Sequence, residues 1–173
     1  FGSAYCADGM NAVDWALANY PVDVKTIGIM GYAGDYGGDY AKGVTAAAEA
    51  NGLTVAWEYI VPSPEFDVAQ AVGLMVTKPV DAYFPAVGPT HMAQVAGGAF
   101  QQGLTPLSMM AAPSFNDAFV REGFALAPLF NSGSMYLMAF VAPYEAETAG
   151  HATMRATFTA VSYTHLRAHE TID

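Results

Sequence analysis

Short apolar runs alternate with segments of helical periodicity along most of this chain, and that alternation constrains the fold more than any other feature. The runs span residues 24–30, 53–61, 82–84, 106–110 and 135–141. Between them lie segments with apolar positions three and four apart, at 36–50, 66–76 and 90–102, with a further helix at 8–19 and a short one at 115–122. Strands recur about every 25 residues, the rhythm of βα units in a parallel sheet. They are apolar throughout, as strands are when helices cover both faces. The expected fold class is therefore α/β, a Rossmann-like parallel sheet with helices on both faces. Local signals mark the ends. Asp8 can cap the first helix, and Tyr20-Pro21 stops it, because the residue before proline is pushed out of helical geometry. Asn51-Gly52 and Gly103 read as helix stops, and Pro62-Ser63-Pro64 ends a strand.

Hydrophobic residues make up 53% of the 173, enough for a packed core. The formal net charge is −10, and only six Lys and Arg are scattered through the chain. Nucleic acid is therefore not an expected partner, since phosphate neutralisation needs clustered cations. No run of about 18 apolar residues offers a membrane-inserting helix. Cys6 is the one cysteine, so no internal disulfide or cysteine zinc cluster can form.

In sheets of this type ligands meet the loops at the carboxyl ends of the strands. Those loops are residues 31–36, 62–66, 85–90 and 110–115, rich in Gly, Pro, Tyr, Ser and Phe. The loop Gly31-Tyr32-Ala33-Gly34-Asp35-Tyr36-Gly37 invites comparison with phosphate loops. Its spacing is not G-x-G-x-x-G, no P-loop lysine follows, and Asp35 would repel phosphate. A turn with helix capping by Asp35 is the plainer reading, and the tyrosines can still face a ligand. His91 reads as a surface histidine near a helix start, with no second metal ligand at suitable spacing. Ser63, Ser108 and Ser114 are placed on strand-end loops, and none sits in a G-x-S-x-G elbow. Ligand hydrogen bonding and turn chemistry explain them equally well. The methionines of 109–110 and 135–138 read as core filler.

Several stretches, in order, resemble the second lobe of a type I periplasmic solute-binding protein of the branched-chain amino acid ABC-transporter class. They are Ile27-Gly28-Ile29-Met30 followed by Asp35-Tyr36-Gly37-Gly38 and a helix; Ala46 to Leu53, then Val55; Pro62 to Asp67 before a helix; Pro79-Val80-Asp81-Ala82-Tyr83-Phe84; and Gly88-Pro89-Thr90 with Gln101-Gln102-Gly103. The resemblance implies one lobe of a two-lobe fold, residues 1–160, with the first lobe and the return across the hinge outside this sequence. It implies a ligand trapped between lobes, no catalytic residue, no metal and no cofactor. The partners it implies are a small amino-acid-like, amide or hydrophobic molecule and an ABC-transporter permease, in the periplasm or outside the cell; a lipid anchor on a preceding segment fits the same reading. By resemblance Tyr36 faces the ligand, Val87, Gly88, Pro89 and Thr90 form a second ligand-facing loop, and the third runs from Met110 through Ala111 to Phe115. Tyr32 and Asp35 join the candidate set from the glycine loop. Amino-acid binders of this family usually carry an acid in the third loop. Here it is Met110-Ala111-Ala112-Pro113-Ser114-Phe115, which favours an amide or a hydrophobic or aromatic molecule, since an unpaired buried ammonium is costly. A ligand-sensing domain of a receptor or regulator would share the fold. An α/β enzyme would need convergent acid, base or nucleophile groups at the strand ends, and these are nearly absent.

The C-terminal residues 161–173 carry His165 and His169 at i, i+4, which on a helix could share a metal ion. A frayed end is the ordinary alternative. A third reading fits better: Val161 to Thr171 resembles the in-frame translation of a transposase-type sequencing-library adapter. It marks 161–173 as a non-native tail that should pack little, and the chain as a fragment from environmental reads.

Overall fold

The computed structural model describes residues 4–139 and 146–169, and for 160–169 the backbone alone. The chain forms two units, Phe1–Phe140 and Val141–Asp173.

The first unit is built on a five-stranded sheet. In chain order its elements are α1 (Tyr5–Asn19), β1 (Thr26–Tyr32), α2 (Gly37–Ala50), β2 (Thr54–Val61), α3 (Val68–Thr77), β3 (Ala82–Ala86), α4 (Pro89–Gln101), β4 (Leu107–Ala111), α5 (Ala127–Asn131) and β5 (Met135–Met138). All the strand pairs are parallel, in the order β2-β1-β3-β4-β5. The chain winds outward from β1 in one direction and from β3 in the other, so β1 and β3 flank the topological switch point.

Two hydrophobic layers sandwich the sheet. On one side Ala12, Val13, Tyr40 and Val44 of α1 and α2 pack against Ile27, Ile29, Phe84, Leu107 and Met109. On the other, Ala71 and Met75 of α3 and Met92 and Val95 of α4 pack against Met30, Trp57, Tyr83 and Met110. Side chains alternate across a strand, so neighbours such as Met109 and Met110 enter opposite layers. Full burial of each large apolar side chain is worth about 1.5–3 kcal/mol, and β1, β3 and β4, buried on both faces, supply it repeatedly, whereas the edge strands β2, with exposed Thr54 and Glu58, and β5 are only partly covered.

Polar groups lock the layers in place. The buried Tyr40 hydroxyl donates to Met109 O at 2.7 Å, joining α2 to β4. Burial pushes this phenol well up. Tyr83, on the opposite layer, is pushed up to about 12 by burial, against a smaller opposing pull from Ser108. Asp81 accepts from Lys25 N at 2.9 Å, Thr26 N at 2.8 Å and Thr26 Oγ1 at 2.9 Å, pinning the start of β3 to the start of β1. Gly28 lets Trp57 of β2 lie across β1: a Cβ there would run into the indole ring. The indole N–H then donates to Lys78 O at 3.0 Å.

Several sequence expectations need correction. Asp8 does not cap α1: the helix begins at Tyr5 with Ala4 as its N-cap, and Asp8 lies on the buried face. Asp35 does not cap α2 either: the N-cap is Tyr36, without a side-chain cap bond, and Asp35 is exposed. Asp67 does cap α3, accepting from Ala69 N and Gln70 N. The segment 115–122 holds a 3-10 turn, Asp117–Val120, rather than an α-helix, and α5 follows it unanticipated, with Pro128 in its first turn. Strand β3 runs on through Pro85 to Ala86, where a loop was expected. Ser108 sits inside β4, fully buried, rather than on a loop. Strand β5 is described as far as Met138, and part of its expected extension to 141 falls outside the described residues.

In the second unit α6 (Ala149–His169) continues through most of the segment expected to be a non-native tail. Thr148 accepts from His151 N at 3.3 Å at its start, and Arg155 Nη1 donates to Ala146 O at 3.1 Å. The packing of 161–173 lies outside the described residues.

Candidate functional site

The carboxyl ends of β1 and β3 bring the candidate loops together. Tyr32 ends β1, and Tyr36 follows a four-residue turn later at the head of α2. Val87 and Gly88 join β3 to α4, and Ser114 closes the 3-10 turn that leaves β4.

The Ser114 hydroxyl is the junction of these loops. It lies 2.9 Å from the Tyr36 hydroxyl, accepts from Val87 N at 3.2 Å and donates toward Pro85 O at 3.4 Å. Tyr36 OH also reaches Val87 O at 3.3 Å. The reason lies in β3. Its ladder with β1 spans Ile27↔Ala82 to Gly31↔Ala86, whereas its ladder with β4 covers only Ala82↔Leu107 and Tyr83↔Ser108. Pro85 carries no N–H for a longer ladder. Past Tyr83 the Ser114 side chain supplies bonds between the β3 and β4 ends. Ser114 is fully buried. Burial pushes the Tyr36 phenol up, and the hydrogen bond with Ser114 pulls against it.

A second pair lies beside the first. Tyr32 OH is 2.6 Å from His91 Nδ1, and the His91 ring stacks on Phe66 at 4.9 Å with the planes 22° apart. Phe66, from the loop after β2, also meets Tyr32 edge-on at 5.8 Å. Tyr36 is 6.5 Å from Tyr32, and 4.9 Å from Tyr5 of α1. Gly88 makes room: a Cβ there would come within 3.1 Å of the Tyr32 hydroxyl. Tyr32, Tyr36 and His91 are all half-buried, presenting part of their surface to solvent.

The candidate residues therefore separate. Tyr32, Tyr36, Gly88 and Pro89 gather at the loop cluster, half-buried, with Asp35 and Thr90 exposed. Val87, Met110 and Ala111 are fully buried, with Met110 and Val87 in one packed layer and Ala111 in the other, and their side chains offer no surface to a ligand. Phe115 is engaged with Phe119 and Phe130, each at 6.0 Å. His91 and Phe66 were not in the candidate set. His91 is no isolated surface histidine, because β1 delivers Tyr32 to it across 59 residues of sequence. A histidine one turn into a helix that follows a strand-end loop was the available signal.

Among the described residues no group of three or more His, Cys, Asp and Glu could hold a metal ion, and no helix is long and apolar enough to cross a membrane. A groove of about 490 Å³ between α2 and β2, lined by Lys42, Glu49, Glu58 and Ile60 among others, contains none of the candidate residues.

The chain superimposes on a fatty acid ABC transporter substrate-binding protein from Thermomonospora curvata with a TM-score of 0.78 and 24% identity, over 92% of this chain and 40% of that one. The fold is that of one lobe of a type I periplasmic binding protein. Other similar structures are a periplasmic substrate-binding protein from Ralstonia solanacearum (TM-score 0.61, 19% identity, 75% of this chain and 35% of that one) and a solute-binding protein of an ABC transporter from Rhodopseudomonas palustris BisB5 in complex with 3,4-dihydroxybenzoic acid (0.59, 18%, 71% and 34%). The chain thus spans well under half the length of these proteins. No family model and no curated protein matches its sequence.

Proposed function

We propose that residues 1–160 form the second lobe of an extracytoplasmic solute-binding protein that delivers a small molecule to an ABC importer. The observation that carries this is the loop cluster itself. The aromatic and hydroxyl groups of Tyr32, Tyr36, His91 and Ser114 converge at the switch point between β1 and β3. Half-buried rings with a few fixed hydrogen-bonding groups suit recognition. Serine-based acyl transfer needs a nucleophile beside a base, and Ser114 is bonded to Tyr36 and backbone instead.

A free ammonium on the ligand is disfavoured, because among the described residues this lobe gathers no buried acid at the cluster. An amide or a hydrophobic or aromatic molecule fits, and fatty acid and dihydroxybenzoic acid, named for two structural neighbours, are of that kind. The permease of the importer is the implied partner, and the periplasm or cell exterior the implied place. Residues 161–173 contribute nothing to the site on this reading.

A receptor's ligand-sensing domain is the second reading, favoured by the similarity to an extracellular ligand-binding receptor from Rhodopseudomonas palustris HaA2 (TM-score 0.55, 23% identity, 64% of this chain and 30% of that one). The test is the longer protein. The sequence upstream should encode another α/β lobe behind an export signal, and thermal-shift screening should show stabilisation by amides or aromatic acids. Stabilisation by leucine or valine overturns the ligand assignment. An upstream sequence without a second lobe overturns the solute-binding function.

A further inference from the structure

We infer that the Tyr32–His91 pair is a hydrogen-bond donor site for an acceptor oxygen, a carboxylate or a carbonyl, on a ligand with a planar apolar body. The inference rests on the solute-binding reading and names the chemistry the lobe selects. It follows from counting protons. Neutral tyrosine and histidine bring one O–H and one N–H. One of these fills the 2.6 Å bond between Tyr32 Oη and His91 Nδ1. If Tyr32 donates, the remaining proton is on His91 Nε2; if Nδ1 donates, it is on Tyr32 Oη. In either tautomer one donor is left over. Among the described residues no other hydrogen bond reaches either side chain. The pair is half-buried rather than sealed, so a ligand can reach that donor.

The surroundings select the rest of the molecule. His91 is backed by the stacked Phe66 ring, which holds the imidazole plane in place. Tyr32 and Tyr36, edge to face at 6.5 Å, present the ring surface against which a planar body can lie. Asp35, the charged residue of the Tyr32–Tyr36 loop, is exposed at its rim. There its attraction for an ammonium is screened by water. A ligand oxygen therefore gains a bond at this pair, while an ammonium would find only a neutral lone pair there, with Asp35 out in water and no buried carboxylate among the described residues at the pair to offset the desolvation of its charge.

The test uses the 173-residue chain and long-range 1H–15N spectra of its imidazoles, with His91 assigned through His91→Gln. Benzoate, benzamide and benzylamine are titrated up to tens of millimolar. Benzoate and benzamide should move the His91 nitrogens and the Tyr32 ring signals, and benzylamine should not. The first two probes separate a carboxylate from a carbonyl ligand. The double variant Tyr32→Phe, His91→Phe, which removes both protons, should weaken benzoate about tenfold, the worth of one hydrogen bond to a charged group, with the unfolding midpoint confirming that the variant is folded. Equal shifts by benzylamine overturn the inference, as does unchanged benzoate affinity in the folded double variant. Benzoate shifts confined to other residues overturn the pair while leaving solute binding intact. Absence of any shift also overturns it, and the function is then judged by the thermal-shift screen on the longer protein.

Discussion

The hydroxyls of Ser114 and Tyr36 meet at 2.9 Å although 78 residues separate them in sequence. Their contact ties the loop after β1 to the loop after β4, and through Val87 N and Pro85 O to the end of β3. Ser114→Ala would leave the Val87 N–H and the Tyr36 hydroxyl short of a buried partner. Such losses cost about 1–3 kcal/mol. Urea unfolding should show a fall of that size, and ligand affinity should drop with it because Tyr36 loses its support. An unchanged midpoint would mean that water fills the gap.

Gly88→Ala tests the neighbouring pair by steric means alone. The added methyl lies 3.1 Å from the Tyr32 hydroxyl, which must give way by a few tenths of an ångström. The expected outcome is a lengthened Tyr32–His91 bond, seen as a changed His91 imidazole spectrum, with little loss of stability.

Two glycines should respond oppositely to the same substitution. Gly28→Ala drives a methyl into the Trp57 indole. Overpacking of this kind costs about 1–3 kcal/mol. Gly73, in the middle of α3, has open space at its Cβ. Replacing a mid-helix glycine with alanine stabilises by about 0.5–1 kcal/mol. Paired chemical denaturation of the two variants checks both signs.

Asp81 sets a pH dependence at the amino end of the sheet. Partial burial pushes its carboxyl up, but the backbone N–H groups of Thr26 and Lys25, with the Thr26 hydroxyl, outweigh this and hold it below its ordinary value of 3.8. A carboxyl lowered on folding stabilises the fold above its unfolded pKa and loses that contribution as pH falls through the folded one. The unfolding midpoint should therefore decline below about pH 4. The decline should be shallower in Asp81→Asn, and identical slopes in the two proteins would refute the assignment.

Removing residues 161–173 should leave the unfolding midpoint of the first unit unchanged, as expected of a tail outside the native gene. A clear loss of stability on truncation would count against that origin.

The sheet was legible in the sequence because its signal is local and recurrent: short, largely apolar runs such as Ile27–Met30 and Leu107–Met110, each followed by turn residues and a helical segment, fit strands with both faces covered. Stops at Asn51-Gly52 and Gly103 were legible because those glycines adopt positive φ, 70° and 75°, where side chains are disfavoured. The site was legible only in part. Tyr36 lies half-buried at the loop cluster, and the partner that fixes it, Ser114, is a tertiary neighbour that no spacing rule predicts. Met110 and Ala111 were counted, by resemblance, in the third ligand-facing loop; the structure keeps their side chains inside, since β4 runs to Ala111 before the turn begins. Pro85 misled in the same way. The loop was expected to begin at Pro85, and the strand in fact continues, with its shortened ladder to β4 bridged by a side chain.

The placement of Trp57 across Gly28 has an optical consequence. The chain has two tryptophans, and neither lies in the loops that gather around Tyr36. Trp57 is almost entirely enclosed beneath the edge of the sheet, while Trp15 rests at 4.5 Å against the Tyr136 ring. Indole emission from this protein therefore monitors the scaffold and is blind to occupancy of the tyrosine cluster itself. A change in that emission when a solute is added would be a record of the sheet shifting under load.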